Sequence, residues 1–356
     1  MFRVTPQGDE TVLYSFAGGS SDGAGPESLI QGRDGNFYGT TSLGGISACA
    51  RPEPVSQQGP SECGTVFEVT PDGEESVLYF FSGKADGGAP NASLVQASDG
   101  SLLGTCASGG IANQANGAAG GGVLFRILGT GFEEVVYAFD GSNGNGALPT
   151  SLMQAADGNF YVTTDLGDTA NLGAIVRVTA DGAEWVVYSF LGGMDGRFPS
   201  TPLIQGSDGS FYGVTGFGGL KDEGTFFRLR PSGQEAVLYQ FGTDQAGGTG
   251  PLTIVADGNR AFLGVTAGGG SSACVDGCGT VYQVAPSGTE SALYQFGKYV
   301  SGNLVSSDDA IAVVESTAGT VYGITADDGQ FGGGTFFSLR PDGVLSTLHA
   351  FGSKGS

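Results

Sequence analysis

One pair of motifs, repeated along the whole chain, limits what this sequence can fold into. A first motif recurs six times: SLIQGRDGNFYGTT (28–41), SLVQASDGSLLGTC (93–106), SLMQAADGNFYVTT (151–164), PLIQGSDGSFYGVT (202–215), LTIVADGNRAFLGVT (252–266) and IAVVESTAGTVYGIT (311–325). A second recurs seven times: FRVTPQGDETVLYSF (2–16), FEVTPDGEESVLYFF (67–81), FRILGTGFEEVVYAF (125–139), VRVTADGAEWVVYSF (176–190), FRLRPSGQEAVLYQF (227–241), YQVAPSGTESALYQF (282–296) and FSLRPDGVLSTLHAF (337–351). Each motif is two short apolar runs around a tight turn, with Asp-Gly or Pro-x-Gly where the backbone needs a positive φ. They read as hairpins, A–B and C–D, four strands to a unit.

Spacing separates what is fixed from what is free. From the first residue of strand C to the last Phe of strand D is 14 positions in every copy, whereas Asp-Gly (Ala318-Gly319 in the last unit) to the next strand C takes 33, 26, 19, 19, 25 and 19. The hairpins are rigid in length and the B–C loop is elastic. A four-stranded antiparallel unit cannot bury both faces alone, so its neighbours must stack against it, as blades do in a β-propeller. The D–A and B–C loops then emerge on one face, and that face is where function is expected.

Seven C–D hairpins against six A–B hairpins predict seven blade positions with one incomplete, the alternative being six blades. The expected organisation is a single propeller domain over 1–356. Its units are 1–16 (a half unit), 17–81, 82–139, 140–190, 191–241, 242–296 and 297–351.

Composition agrees with an all-β chain. The 67 Gly and 14 Pro cluster between runs of β-branched and aromatic residues and follow no three-residue period, which excludes a collagen-like helix. Fourteen Lys and Arg face 36 Asp and Glu, a formal charge of −22. Such a surface repels nucleic acid and anionic lipid. No apolar run approaches the length of a membrane span, so no membrane insertion is expected. Residue 2 already belongs to a repeat, so no signal peptide is expected in this chain.

The pattern P-x-x-x-L-I-Q-G-x-D-G-N-F-Y-G-T-T, then G-G, G-T-V-F-x-V-T-P-D-G and V-L-Y-S-F, resembles the tandem GloVer repeats of secreted and surface-anchored bacterial proteins. The resemblance spans essentially the whole chain. It implies a propeller-like exported protein, extracellular or at the cell surface; it does not imply a catalytic activity, because the family is not defined by one. No C-terminal anchor is read here, and the last unit departs with Ala318-Gly319 and with His349 where other units have Tyr.

Five cysteines remain to be placed. Cys49 and Cys63 share the longest B–C loop, and Cys274 and Cys278 share another enlarged one. Two local disulfides, Cys49–Cys63 and Cys274–Cys278, are expected, the first contributing about 3 kcal/mol by loop closure. Cys106 stands where other units have Thr41, Thr164, Thr215, Thr266 and Thr325, and reads as a small buried thiol.

Catalytic constellations are sparse. With His349 as its only histidine, the chain has no multi-His metal site, and a Ser-His-Asp device would depend on that residue. The Tyr residues of strand B (Tyr38, Tyr161, Tyr212, Tyr322) and the single Trp185 read as packing groups. Most Glu residues fall in or just after C–D turns, away from the variable face, while Asp22, Asp86 and Asp195 precede a Gly in their D–A loops. Those three read as turn formers or, as candidate metal ligands, as oxygen donors to calcium.

The sequence therefore points to a non-catalytic extracellular module. It would display enlarged, Gly-rich B–C loops (42–63, 107–121, 267–278) to a polysaccharide, a cell-surface component or other copies of itself. The alternative is a carbohydrate-active enzyme, a glycoside hydrolase or polysaccharide lyase, using acidic residues at the propeller mouth. A purely structural module of a longer surface protein is the third reading.

Overall fold

The computed structural model describes every residue except 46–62, 112–119, 130, 142–145, 168–169, 200, 244–246, 258–260, 271–277, 298, 301–302, 305–309, 327–331 and 353–356. The described residues are all β, with a single 3₁₀ turn at Gly193–Asp195 and no α-helix. Six antiparallel blades form the β-propeller. The chain divides into two compact units, Met1–Arg3 with Thr11–Ser189 and Val4–Glu10 with Phe190–Ser356.

The first unit holds three blades. They are Gly23–Gln31, Phe37–Gly44, Thr65–Val69 and Glu75–Phe80; then Gly88–Pro90 with Val95–Gln96, Leu102–Ser108, Val123–Ile127 and Glu133–Ala138; then Ala147–Gln154, Phe160–Leu166, Ala174–Val178 and Glu184–Ser189. The second unit holds Ile204–Gln205, Phe211–Thr215, Thr225–Leu229 and Glu235–Gln240; Gly248–Pro251 with Val255–Ala256, Phe262–Gly269, Thr280–Val284 and Glu290–Gln295; and Ala310–Glu315, Val321–Thr325, Thr335–Leu339 and Leu345–Ala350. Strand A is split into two pieces in the second and fifth blades.

Six blades, not seven, correct the main expectation about blade number. The first C–D hairpin forms only a two-stranded sheet, Phe2–Val4 with Glu10–Val12. Its strands are three residues long and largely exposed, because no A and B strands of its own cover them. A blade needs those inner strands to bury a face, so the extra hairpin adds no blade.

Strand C is buried at all but one position in five of the blades, as in Thr65–Val69, and where it carries a central aromatic the blades stack on that ring. The terminal Phe of one strand D packs edge-on against the strand C aromatic of the next blade: Phe81 on Phe125 at 4.9 Å, Phe241 on Tyr282 at 5.1 Å and Phe296 on Phe337 at 5.7 Å. Strand B makes room for that ring with glycine. A Cβ on Gly104 or Gly213 would stand 2.5 or 2.7 Å from the Phe125 or Phe227 ring. The third blade departs from this pattern in a compensated way: Val162 replaces the glycine and Val176 replaces the aromatic, and both are fully buried. Roughly constant volume is kept across the strand pair.

Every blade also carries a bulge at one place in the C–D pair. Phe67 faces Val77 and Val66 faces Tyr79, which leaves Leu78 as the extra residue; Val136, Leu238 and Leu348 hold its place in other blades. The C–D turn glycine of the following hairpin sits on the carbonyl of this bulged residue. A Cβ on Gly182 would lie 2.6 Å from the Val136 oxygen, and one on Gly73 2.5 Å from that of Leu13. The Pro-x-Gly turn is thus required by its neighbour as well as by its own positive φ.

Candidate functional site

The D–A aspartates close their own loops. Asp22 is buried; its Oδ2 accepts from the Tyr14 hydroxyl at 3.0 Å and the Ala17 amide at 2.5 Å, and its Oδ1 from the Gly23 amide at 2.6 Å. Asp86 repeats this, with Tyr79 Oη at 3.1 Å, the Ser82 amide at 2.7 Å and the Ser82 hydroxyl as donors. Asp195 Oδ2 accepts from the Leu191 amide at 2.6 Å. The three lie in separate blades, and no group of three or more His, Cys, Asp or Glu arranged to hold a metal occurs among the described residues.

What the structure adds is a glutamate beside each aspartate. Glu75, Glu133, Glu184 and Glu235 are the first residues of their D strands. Each keeps Oε1 buried with no hydrogen-bond partner. Burial, then the Asp22 charge, raises the Glu75 carboxyl, which also bonds the Tyr14 hydroxyl. Burial, then Asp86, pushes Glu133 up to about 7. Glu184 is raised mainly by burial, against the Tyr137 hydrogen bond, with Asp140 adding to the rise. Glu235, within hydrogen-bond reach of Asp195, is pushed by burial and that carboxylate to about 8. The phenols of Tyr14 and Tyr79 are raised as well, first by burial. At Tyr14 and Tyr79 two carboxyls face one tyrosine, and Glu133 and Glu235 hold their protons toward neutrality.

These glutamates were expected away from the D–A loops, and that expectation is corrected. The end of one D strand meets the start of the next, which brings Tyr and Glu of successive hairpins together. The signal was present in the sequence as Glu at one hairpin position (Glu10, Glu75, Glu133, Glu184, Glu235, Glu290) with Tyr four residues later. Where Leu345 replaces the glutamate, Tyr294 is buried in an apolar cluster with it. Where His349 replaces the tyrosine, its Nε2 meets Glu10 Oε2 at 3.0 Å and its Nδ1 lies 3.1 Å from the Gly8 carbonyl. The histidine takes the tyrosine's structural place.

The other face has its own repeated device. The Asp of the A–B turn accepts from the Tyr four residues on: Asp34 from Tyr38 at 2.7 Å, Asp157 from Tyr161 at 3.3 Å and Asp208 from Tyr212 at 3.1 Å. These tyrosines pack and brace turns. Trp185 is half exposed under the Arg177 guanidinium, 4.5 Å from its ring centroid.

The elastic segments between strands B and C run over 45–64, 109–122, 167–173, 216–224, 270–279 and 326–334. Their C-terminal bases are clamped by the following blade. The Ala89 amide donates to the Cys63 carbonyl, Leu148 to Gly121 and Gly250 to Glu223. The proline after each donor packs on the next glycine: a Cβ on Gly64, Gly122 or Gly224 would meet Pro90, Pro149 or Pro251. This geometry demands a left-handed residue before the proline, and Ala89 (φ 51) and Leu148 (φ 55) accept that strain without being glycine. Cys63 and Cys278 occupy the same base position, immediately before Gly64 and Gly279, and both are buried. Cys49, Cys274 and most of the three enlarged loops lie outside the described residues.

Cys106 is fully buried and free, its thiol raised by burial. In four other blades the threonine at this place bonds a threonine of strand C, as Thr41 with Thr65 and Thr266 with Thr280, both at 2.9 Å. In the second blade Cys106 faces Val123, so both hydroxyls are replaced together and neither is left unpaired.

Repeated hairpins, interblade carboxyl–tyrosine seams and clamped loops of unequal length define a six-bladed β-propeller of tandem repeat units. The chain belongs to the Gloeobacter/Verrucomicrobia repeat family, whose model matches residues 111–310 and 204–356. No curated protein matches it. Among solved structures it is similar to virginiamycin B lyase from Staphylococcus aureus, at 14% identity and TM-score 0.58, covering 92% of this chain and 85% of that one. It is also similar to the extracellular domain of a protein assigned to the hybrid two-component systems of B. thetaiotaomicron, at 10% identity and TM-score 0.56. That match covers 91% of this chain and 34% of the other. At these identities the likeness is one of fold. No helix of the described residues is long and apolar enough to cross a membrane.

Proposed function

We propose that this protein is a non-catalytic extracellular binding or assembly module whose B–C loops carry recognition. One observation carries the reading: the base of these loops is clamped by the same hydrogen bond and proline contact in different blades, while the segment above it ranges from 167–173 to 45–64. A frame held constant beneath parts free to vary is what a display scaffold requires. The disulfides Cys49–Cys63 and Cys274–Cys278 would tether two loops to this base, and non-reducing peptide mapping tests them. A polysaccharide, a cell-surface component or sister copies are the partners proposed. Replacing 45–64 by the short segment of the third blade should leave the melting temperature within a few degrees. It should also abolish retardation in gels containing pectin, xylan, alginate or chitin fragments, or self-association seen by light scattering. Unchanged binding and assembly would refute the proposal.

The rival is a carbohydrate-active enzyme, favoured by the carboxyl pairs Asp86–Glu133 and Asp195–Glu235, where one member holds a proton near neutrality. Against it stands repetition: the same pair recurs from seam to seam, as a bracing element does and a catalytic pair does not. Release of reducing ends from those glycans by the purified protein would decide for the enzyme. Calcium at Asp22, Asp86 and Asp195 stays a proposal, tested by melting in excess Ca²⁺ and in EDTA.

A further inference from the structure

The B–C loop of the fourth blade, 216–224, packs on the D–A loop that precedes that blade, and bonds within the second unit hold both. The Gly219 amide donates to the Gly193 carbonyl at 2.8 Å and the Arg197 amide to that of Phe217 at 3.0 Å. The Leu220 amide donates to Gln240 Oε1 at 2.8 Å, while Asp222 accepts from the Gly218 amide at 2.8 Å and from Arg197 Nη2 at 2.9 Å. The Arg197 guanidinium lies over the Phe217 ring, 5.2 Å from its centroid, and Phe198 meets the same ring edge-on at 6.2 Å. Loops bonded in this way have little freedom left to lose when something binds to them.

What they turn outward is apolar. Leu191 is 71% exposed, Leu220 66%, Met194 53% and Phe217 50%. The backbone bonds between the two loops put these four side chains in one patch, on the order of 400 Å² of apolar surface. Methionine, aromatic and arginine side chains are those enriched where proteins meet. Three aliphatic side chains and one ring offer a sugar few hydrogen bonds. We propose, resting on the reading of the B–C loops as the recognition part, that the occupant is a second copy of this chain in a two-fold contact of patch on patch. Charge is the first reason. A chain of −22 repels its own copies over most of its surface, so two copies meet best where charge is balanced. Here Arg197 neutralises Asp222, and Asp195 turns into its own loop to accept from the Leu191 amide. Lys221 is exposed, without an ion partner among the described residues, and stands two positions from Glu223. A patch carrying both signs can be its own complement across a two-fold axis, Lys221 of each copy toward Glu223 of the other. Area is the second reason. Two such patches and a polar rim bury roughly 1,000–1,200 Å², the lower end of specific interfaces, which suits a weak and reversible dimer.

Sedimentation velocity of the whole protein at physiological ionic strength, from micromolar to near-millimolar concentration, is the test. The wild type should pass from monomer to dimer and stop there. Leu220→Asp should weaken pairing about tenfold or more, and Lys221→Glu about threefold, each with an unchanged melting temperature because both side chains are exposed. Phe132→Asp, which removes an exposed ring from a C–D turn of the second blade, should leave pairing as it is. A wild type that stays monomeric, assemblies that grow beyond two, full pairing in Leu220→Asp, or an equal loss in Phe132→Asp would overturn the proposal. So would a monomeric wild type whose retardation in glycan gels is lost in Leu220→Asp, since the occupant would then be a sugar. Exchange of 45–64 should leave pairing intact, and its loss there would count against this patch. Glycan retardation in that exchange judges the wider reading of the B–C loops, so the two failures are told apart.

Discussion

Raising the pH from 5 to 9 should destabilise this propeller well before any lysine or arginine is neutralised, and Glu133 and Glu235 set the size of the effect. Their carboxyls are pushed from the ordinary 4.5 to about 7 and about 8. Between the two values the native protein keeps a proton that the unfolded chain has released, so stability falls as pH rises, by about 1.4 kcal/mol per proton per pH unit. Unscreened, this amounts to about 3 kcal/mol for Glu133 and about 5 for Glu235. Both side chains are only partly buried, and solvent screening brings each contribution to about 1–2 kcal/mol. Glu75 and Glu184 shift in the same direction and add to the slope. Urea unfolding at constant ionic strength should therefore give a free energy on which these two groups have little effect below about pH 4, which falls by about 2–4 kcal/mol as their protons are lost, and which levels above about pH 9. General repulsion in a chain of charge −22 slopes the same way, so the decisive comparison is with Glu133→Gln/Glu235→Gln. Gln keeps the shape and stays neutral at every pH. The double variant should match the wild type at pH 5, exceed it by about 2 kcal/mol at pH 8.5, and show a shallower slope. A double variant that parallels the wild type across the range would refute the idea that these carboxyls store the protons.

Gly182→Ala should cost about 2–4 kcal/mol in urea unfolding, since an L residue there takes a positive φ and meets the Val136 carbonyl of the preceding blade. Ala89→Gly should raise stability by about 0.5–1 kcal/mol, because relief of the strain at φ 51 outweighs the added chain entropy; a loss of stability would argue against strain at that position. His349→Ala should cost about 1–2 kcal/mol by leaving partly buried Glu10 without its ring partner, whereas His349→Tyr should restore the seam of the other blades and stay within about 0.5 kcal/mol of wild type. Under native conditions Cys106 should resist a thiol reagent and react only at the rate of unfolding, since it is fully buried with its thiol raised.

The hairpins, their register and the elastic B–C loops were legible in the sequence because side-chain period and turn chemistry are local. The buried state of Cys106, the packing role of the strand B tyrosines and the structural place of His349 followed from alignment of the units alone. Blade number was less accessible. Counting C–D hairpins gives seven, but whether a hairpin becomes a blade depends on inner strands, and the motif at Phe2–Phe16 is as well formed as those that have them. The carboxyl seams were invisible for a different reason. Glu75 and Asp22 are far apart in the sequence and belong to opposite ends of a blade on paper. They meet because the end of one D strand packs against the C–D turn of the next hairpin, as Gly73 on the Leu13 carbonyl shows.

That contact also bears on how acidity is used. A chain with 36 carboxylic acids and little base would be expected to spread them in solvent. Here several are drawn into the contacts between neighbouring blades, where burial and a nearby aspartate raise the carboxyls of Glu75, Glu133 and Glu235. A departure in one member of a seam is met by its partner, as with Tyr294 beside Leu345 and His349 beside Glu10. The same compensation appears in Val162 with Val176 and in Cys106 with Val123. Each substitution is answered across a contact between strands or blades, so the packed pair is what the repeat preserves.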